Sequence, residues 1–249
     1  MTTNTATNTA LGAAVETILT ARDGLLVPIG VTPSGEPLIV DLRRHPHLML
    51  AGFAGAGKST LLRQMVDALE LQLGRDGKVL LAEGIRVGVD EAIAEVHGEL
   101  LRRQHERTSN AARGPVVLCI DDFGVYAEHH QSLETLTMLR RIVNTGRASD
   151  VHLLLATQAV TGISGALLMS MSTRIVLGPV GTEHRRLFSE PEWSLVTEAG
   201  DRIGSGETGA GLLVDPEGQP ATFTPLDDAG SAFTIAAVTV RHRRTRTAR

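Results

Sequence analysis

The octapeptide Gly52-Phe53-Ala54-Gly55-Ala56-Gly57-Lys58-Ser59 constrains this chain more than any other segment. It satisfies G-x-x-x-x-G-K-[ST] at every fixed position. An apolar run, His47 to Ala51, precedes it. The stretch Ser59 to Leu73 follows, with apolar residues at Leu61, Leu62, Met65, Val66, Leu69 and Leu73. That spacing is helical, so the loop joins a strand to a helix. Glycines let such a loop curl until successive N–H groups face an anion, and the helix dipole adds to the attraction. In this pattern Lys58 reaches the β- and γ-phosphates and the Ser59 hydroxyl ligates Mg²⁺. The expected ligand is ATP with Mg²⁺, held by Gly52, Phe53, Ala54, Gly55, Ala56, Gly57, Lys58, Ser59 and Thr60.

Around this loop, strand-like and helical patterns alternate. Leu25 to Gly30 and Pro37 to Leu42 predict two short strands, and Thr32-Pro33-Ser34-Gly35-Glu36 between them predicts a hairpin turn. Beyond the loop, strands are predicted at Lys78–Ala82, Val116–Ile120, Val151–Ala156 and Arg174–Leu177, with Gly211–Val214 closing the sheet. Helices are predicted at Val89–Arg107 and Ser132–Asn144, and a short one at Leu11–Ala21 after a frayed start. Strands bare of polar residues are buried on both faces, as in a mostly parallel sheet flanked by helices. The predicted class is α/β with a small N-terminal β-element. The expected division is a segment 1–22, an ATPase domain 23–228 and an extension 229–249.

Composition narrows the function. The single cysteine, Cys119, lies in an apolar run, which excludes an internal disulfide and a cysteine zinc cluster and predicts a buried small hydrophobe. His45 with His47, and His129 with His130, have no convincing ligand spacing, so solvated histidines are expected. No signal peptide and no apolar run of about 18 residues is present, which predicts a cytoplasmic chain without a transmembrane segment. The net charge is −4, yet Arg241 to Arg249 holds five arginines; removing those five charges leaves −9 for the rest. That run is either a solvated tail or an arm that pairs with phosphates.

A phosphate loop that hydrolyses its ligand needs a carboxylate at the end of a neighbouring strand. Val116 to Ile120 ends in Asp121-Asp122. Asp121 is expected to hold the metal through water, and Asp122 to polarise the attacking water.

Three stretches resemble the FtsK/SpoIIIE family of hexameric DNA-translocating ATPases. Pro46-His47-Leu48-Met49-Leu50-Ala51-Gly52 is similar to that family's PHLLVAG approach to the loop, and Gly35 to Leu42 to the G-x-P-x-x-x-D-L ahead of it. The helix Glu95 to Arg107, with Glu99, Arg102 and Arg103, resembles its EMERRY helix. Gly146-Arg147-Ala148-Ser149-Asp150-Val151-His152-Leu153-Leu154-Leu155-Ala156-Thr157-Gln158 resembles RAxGIHLxLATQ and is the most specific of the three. The likeness spans roughly residues 25 to 226 and is nearest to short plasmid and phage forms, including TraB-type transfer motors.

The resemblance implies a RecA-like core working as a homo-oligomer, a hexameric ring that threads double-stranded DNA without reading its sequence. It places Gln158 at the γ-phosphate, on the strand beside the acidic one. It projects Arg147 as an arginine finger towards a neighbour's nucleotide, with Arg174, in a segment like PTRI, as a weaker candidate. A membrane or transfer-machinery partner in trans is also implied. Three departures stand out. Asp121-Asp122 replaces the family's Asp-Glu, which predicts slower turnover. The family's membrane-spanning region and C-terminal winged helix have no counterpart here. The segment around Gly84 to Val89 is compressed. Two alternatives remain: a protein-export ATPase of the type VII secretion kind, and a nucleotide-binding regulatory or assembly subunit with weak hydrolysis. Trp193 is expected near a helix start, anchoring it to the core.

Overall fold

The computed structural model describes residues 3–21, 24–73, 77–84, 88–106, 113–129, 132–204 and 208–226. The arginine-rich run from Arg241, His130 and residues 85–87 of the segment Gly84 to Val89 that looked compressed lie outside them.

Two sheets form. The strands β1 (Leu26–Val31) and β2 (Pro37–Asp41) make the antiparallel hairpin that the turn residues predict. The main sheet is built from β3 (His47–Gly52), β4 (Lys78–Glu83), β5 (Val116–Asp121), β6 (Val151–Thr157), β7 (Thr173–Leu177), β8 (Gly211–Val214) and β9 (Pro220–Phe223). Its order is β4-β5-β6-β3-β7-β8-β9, parallel from β4 to β7 and antiparallel over the last two strands. Here two expectations are corrected. Gly211–Val214 does not close the sheet, because β9 pairs outside it. Pro220–Phe223 is too short and too mixed in polarity to announce a strand, and Pro at its first position fits an edge. The acidic strand β5 is also not a neighbour of β3; β6 lies between them.

Helices cover both faces. They are α1 (Thr3–Thr20), α2 (Lys58–Gln72), α3 (Val89–His105), α4 (Phe123–His129), α5 (Leu133–Thr145), α6 (Gly165–Ser170) and α7 (Glu190–Gly200). The strict two-residue period of each strand sorts its side chains between two cores. Leu48 and Leu50 of β3, Val117 and Cys119 of β5, and Leu154 and Ala156 of β6 pack under α2. Met49, Leu118, Ile120, Leu153 and Leu155 pack on the opposite face with α3 and α5. Cys119 is fully buried, as its surroundings predict, and burial pushes its thiol up to about 12.

The first helix starts at Thr3 rather than near Leu11. Ala10, Ala14 and Ile18 dock on Ala68 and Leu71 of α2, and a docked helix propagates into a weakly helical flank. Trp193 sits on α7 and packs against Phe188, with the Arg185 guanidinium 5.5 Å from its ring, so it anchors that helix as expected. No described helix is long and apolar enough to cross a membrane.

Candidate nucleotide-binding site

All parallel strands end at one edge of the sheet, and the loop from Gly52 to Gly57 occupies it at the end of β3. Gly57 caps α2 at φ 97, a left-handed geometry that a side chain strains, so the glycine of the motif is needed to turn the chain into the helix. Lys58 folds back over the loop and donates to the carbonyls of Gly52 and Phe53, both at 2.8 Å. It is buried, and burial pulls its pKa down against the opposing pull of Asp122 and Asp121. Ser59 is half-buried at the first turn of α2, and Thr60 is exposed. Phe53 lies 45% exposed with its ring edge-on to His184, centroids 5.4 Å apart. The Ala56 carbonyl accepts from Gly209 N–H at 3.0 Å, which ties the loop to the start of β8.

The acidic pair stands two strands away. Asp121 ends β5, buried, and its Oδ1 accepts from Asp122 N–H at 3.0 Å. Asp122 has φ 49, a left-handed position that ends the strand and starts α4. Gln158, just past β6, donates from Nε2 to Asp122 Oδ1 at 3.3 Å. Because β6 lies between β3 and β5, it carries this amide into the space between Lys58 and the carboxylates. Lys58, Asp121, Asp122 and Gln158 therefore share one edge.

These groups suit a magnesium–triphosphate. No cluster of three or more His, Cys, Asp or Glu side chains forms a metal cage among the described residues. A metal here would take the Ser59 hydroxyl, Asp121 through water and phosphate oxygens, the mixed oxygen set that Mg²⁺ prefers. His47 is buried rather than solvated, 4% exposed, because it lies on the innermost strand with Nδ1 accepting from Leu153 N–H.

The two arginines separate. Arg147 lies exposed on a single 3-10 turn, Arg147–Ser149, at the start of β6. The seven residues of β6 put it about 20 Å from the phosphate loop, out of reach of its own nucleotide. The turn is held firmly. Arg103 of α3 donates to Ser149 O and Gly114 O, each at 2.8 Å, and to Glu99 Oε1 at 2.6 Å. Asp150 Oδ1 faces His152 Nε2 at 3.0 Å, and Asp150 Oδ2 accepts from Arg43 at 3.3 Å. Arg174 is corrected. It is buried near the start of β7, donates to Met171 O and to Glu192 Oε1 at 3.0 Å, and lies over Phe188. A guanidinium committed in this way is a core ion pair, not a finger for a neighbour.

Sequence reasoning missed Glu83 and His184. Glu83 ends β4 in register with Asp121, which only strand pairing reveals. His184, in the turn after β7, is buried against Phe53 with Nδ1 accepting from Gly181 N–H.

Comparison with known proteins agrees with this geometry. Residues 13–72 match the FtsK/SpoIIIE family, and residues 48–179 match the ATPase family associated with various cellular activities (AAA). The chain is 26% identical over 196 residues to the DNA translocase SftA of Bacillus subtilis, covering 63% of this chain and 21% of that protein. It spans 21 to 28% of the length of the first curated relatives it matches. Among solved structures, the cytoplasmic domain of the type VII secretion ATPase EccC of Thermomonospora curvata superposes with a TM-score of 0.65 at 22% identity, covering 82% of this chain and 29% of that one. The pCW3 conjugation coupling protein TcpA, in a monomer form with ATPγS, superposes with a TM-score of 0.60 at 17% identity, covering 91% of this chain and 73% of that one.

Proposed function

We propose, for a chain that belongs to the AAA family of ATPases and carries the FtsK/SpoIIIE match in its N-terminal part, that it is an ATP-driven motor that translocates double-stranded DNA. One observation carries the reading. Lys58, Asp121 and Gln158 converge at one edge of the sheet, while the exposed Arg147 stands at the other. Such an arrangement completes a site only between copies, as in a ring; a hexamer is the proposed state.

In this reading Lys58 and the loop N–H groups bind the β- and γ-phosphates, and Ser59 with Asp121 holds Mg²⁺. The metal supplies neutralisation of charge on the phosphate oxygens. Gln158 orients the γ-phosphate, since its amide both donates and accepts. Arg147 of the adjoining copy offsets charge in the transition state. Asp122 is the carboxylate that the sequence offers for water activation. DNA contacts would be to phosphates and so independent of base sequence.

The test compares ATPase rates of the wild type and Lys58→Ala with and without duplex DNA at low salt. Duplex stimulation of the wild type alone supports the proposal. An active wild type that duplex DNA leaves unmoved favours the second reading, protein export, which the likeness of fold to EccC supports. A wild type as inert as Lys58→Ala while still binding ATP would leave a regulatory subunit.

A further inference from the structure

We infer that Glu83 is the general base that activates the attacking water; this rests on the ATPase reading above. The end of β5 carries Asp121-Asp122, and Asp122 is poorly placed to activate water. Its carboxylate is one methylene shorter than a glutamate's, its own backbone is left-handed at φ 49, and its Oδ1 already accepts from Gln158.

Glu83 offers a full-length carboxylate from the next strand. Strand β4 pairs in parallel with β5, and Glu83 is opposite Asp121 in that register. Paired residues on adjacent strands project from the same face about 5 Å apart. Which face is settled by the cores. Leu80 and Ala82 pack with the α3 side and Val79 with the α2 side, so Glu83, four residues after Val79, points to the α2 side. By the same alternation Asp121 follows Cys119 onto the α2 side. This is the side on which Lys58 and Ser59 open α2. Arg63 of α2 reaches Glu83 at 3.8 Å, which agrees with that orientation.

The end of β4 is also fixed against the acidic pair. Gly84 N–H donates to Asp121 O at 2.7 Å, and a Cβ at Gly84 would meet Asp122 O at 2.3 Å. Glycine alone lets the two strand ends close to this distance. Glu83 is about one-third exposed, so it retains access to water.

The step balances simply. As the water oxygen bonds to the γ-phosphorus, its proton passes to the Glu83 carboxylate. The bond from the γ-phosphorus to the bridging oxygen breaks, and ADP and inorganic phosphate leave. The carboxylic acid then returns its proton to solvent.

The test measures binding of the fluorescent analogue mant-ATP and turnover at saturating ATP in the wild type, Glu83→Gln, Glu83→Asp, Asp122→Asn and Arg63→Ala. A positioned base contributes about 100-fold or more. Glu83→Gln should therefore bind the analogue within about twofold and lose about 100-fold in kcat. Arg63→Ala should lose less than about tenfold, since it leaves the base in place, and a loss in Asp122→Asn as large as that in Glu83→Gln overturns the assignment. Should Glu83→Gln fail to bind, Glu83→Asp decides: retained binding with a loss of about tenfold or more supports the inference, and full turnover overturns it. Undiminished turnover in Glu83→Gln, or an equal loss in Arg63→Ala, also overturns it, the latter because the ion pair would then explain the effect. A wild type no faster than Lys58→Ala refutes the ATPase reading itself, and the assignment falls with it.

Discussion

Burial of His47 makes stability depend on pH in a window that can be worked out. The ring is 4% exposed on the central strand. Burial, and next the neighbouring His152, lower its pKa from 6.5 to about 3, while the Val143 backbone offsets only part of this. The folded state thus holds the ring neutral where the unfolded chain protonates it. Stability is complete above the unfolded value and is lost as pH falls through 6.5 towards 3. Between pH 7 and pH 5 the unfolded ring goes from mostly neutral to almost fully charged, while the folded ring stays neutral. Linkage then gives a loss of about 2 kcal/mol over that interval.

His184 is shifted the same way by burial, so its loss falls in the same direction. Glu99, Asp150 and Glu192 have lowered pKa values, so their losses begin only nearer their unfolded values around 4. The assay is urea denaturation at pH 7 and pH 5 of the wild type and His47→Asn, whose side-chain oxygen can still accept from Leu153 N–H. The wild type should lose about 2 kcal/mol more than the variant over the interval. An equal loss in both proteins refutes the assignment of the effect to this ring.

Three further outcomes follow from the site. Arg147→Ala should be inactive alone, yet regain part of its turnover when mixed with Lys58→Ala, because each supplies what the other lacks across the subunit boundary; no recovery in any ratio counts against a trans role. Arg174→Ala should lower stability by about 2 kcal/mol by removing a buried guanidinium that bonds Met171 O and Glu192 and covers Phe188, and mixing with Lys58→Ala should not restore what is lost. Gly84→Ala should cut turnover more than nucleotide binding, because its Cβ would push the β4 end off Asp122; wild-type kcat in that variant would show the contact to be slack.

The kinship and the fold class were legible because their signals are local. The loop motif, its flanking strand and helix, and the apolar runs each lie within a few consecutive residues, and a two- or three-to-four-residue period needs no distant partner to be seen. The RAxGIHL-like segment was equally readable, and the FtsK/SpoIIIE family it pointed to is one whose model matches residues 13–72.

Pairing between strands is a different matter, since register and order depend on hydrogen bonds between segments far apart in the chain. The resemblance already set Gln158 on the strand beside the acidic one; the assembled sheet puts that strand, β6, between β5 and the phosphate loop, with Gln158 3.3 Å from Asp122. The resemblance offered Arg147 and, more weakly, Arg174 for the same role; burial against Glu192 and Phe188 separates them in three dimensions. Glu83 carries no motif at all. Its place beside Asp121 comes from parallel pairing and from the two cores that fix which face its side chain takes. The sequence by itself determined that this chain can cradle a triphosphate, because a phosphate loop is a local backbone device. Which carboxylates stand side by side at the ends of adjoining strands was decided by the sheet.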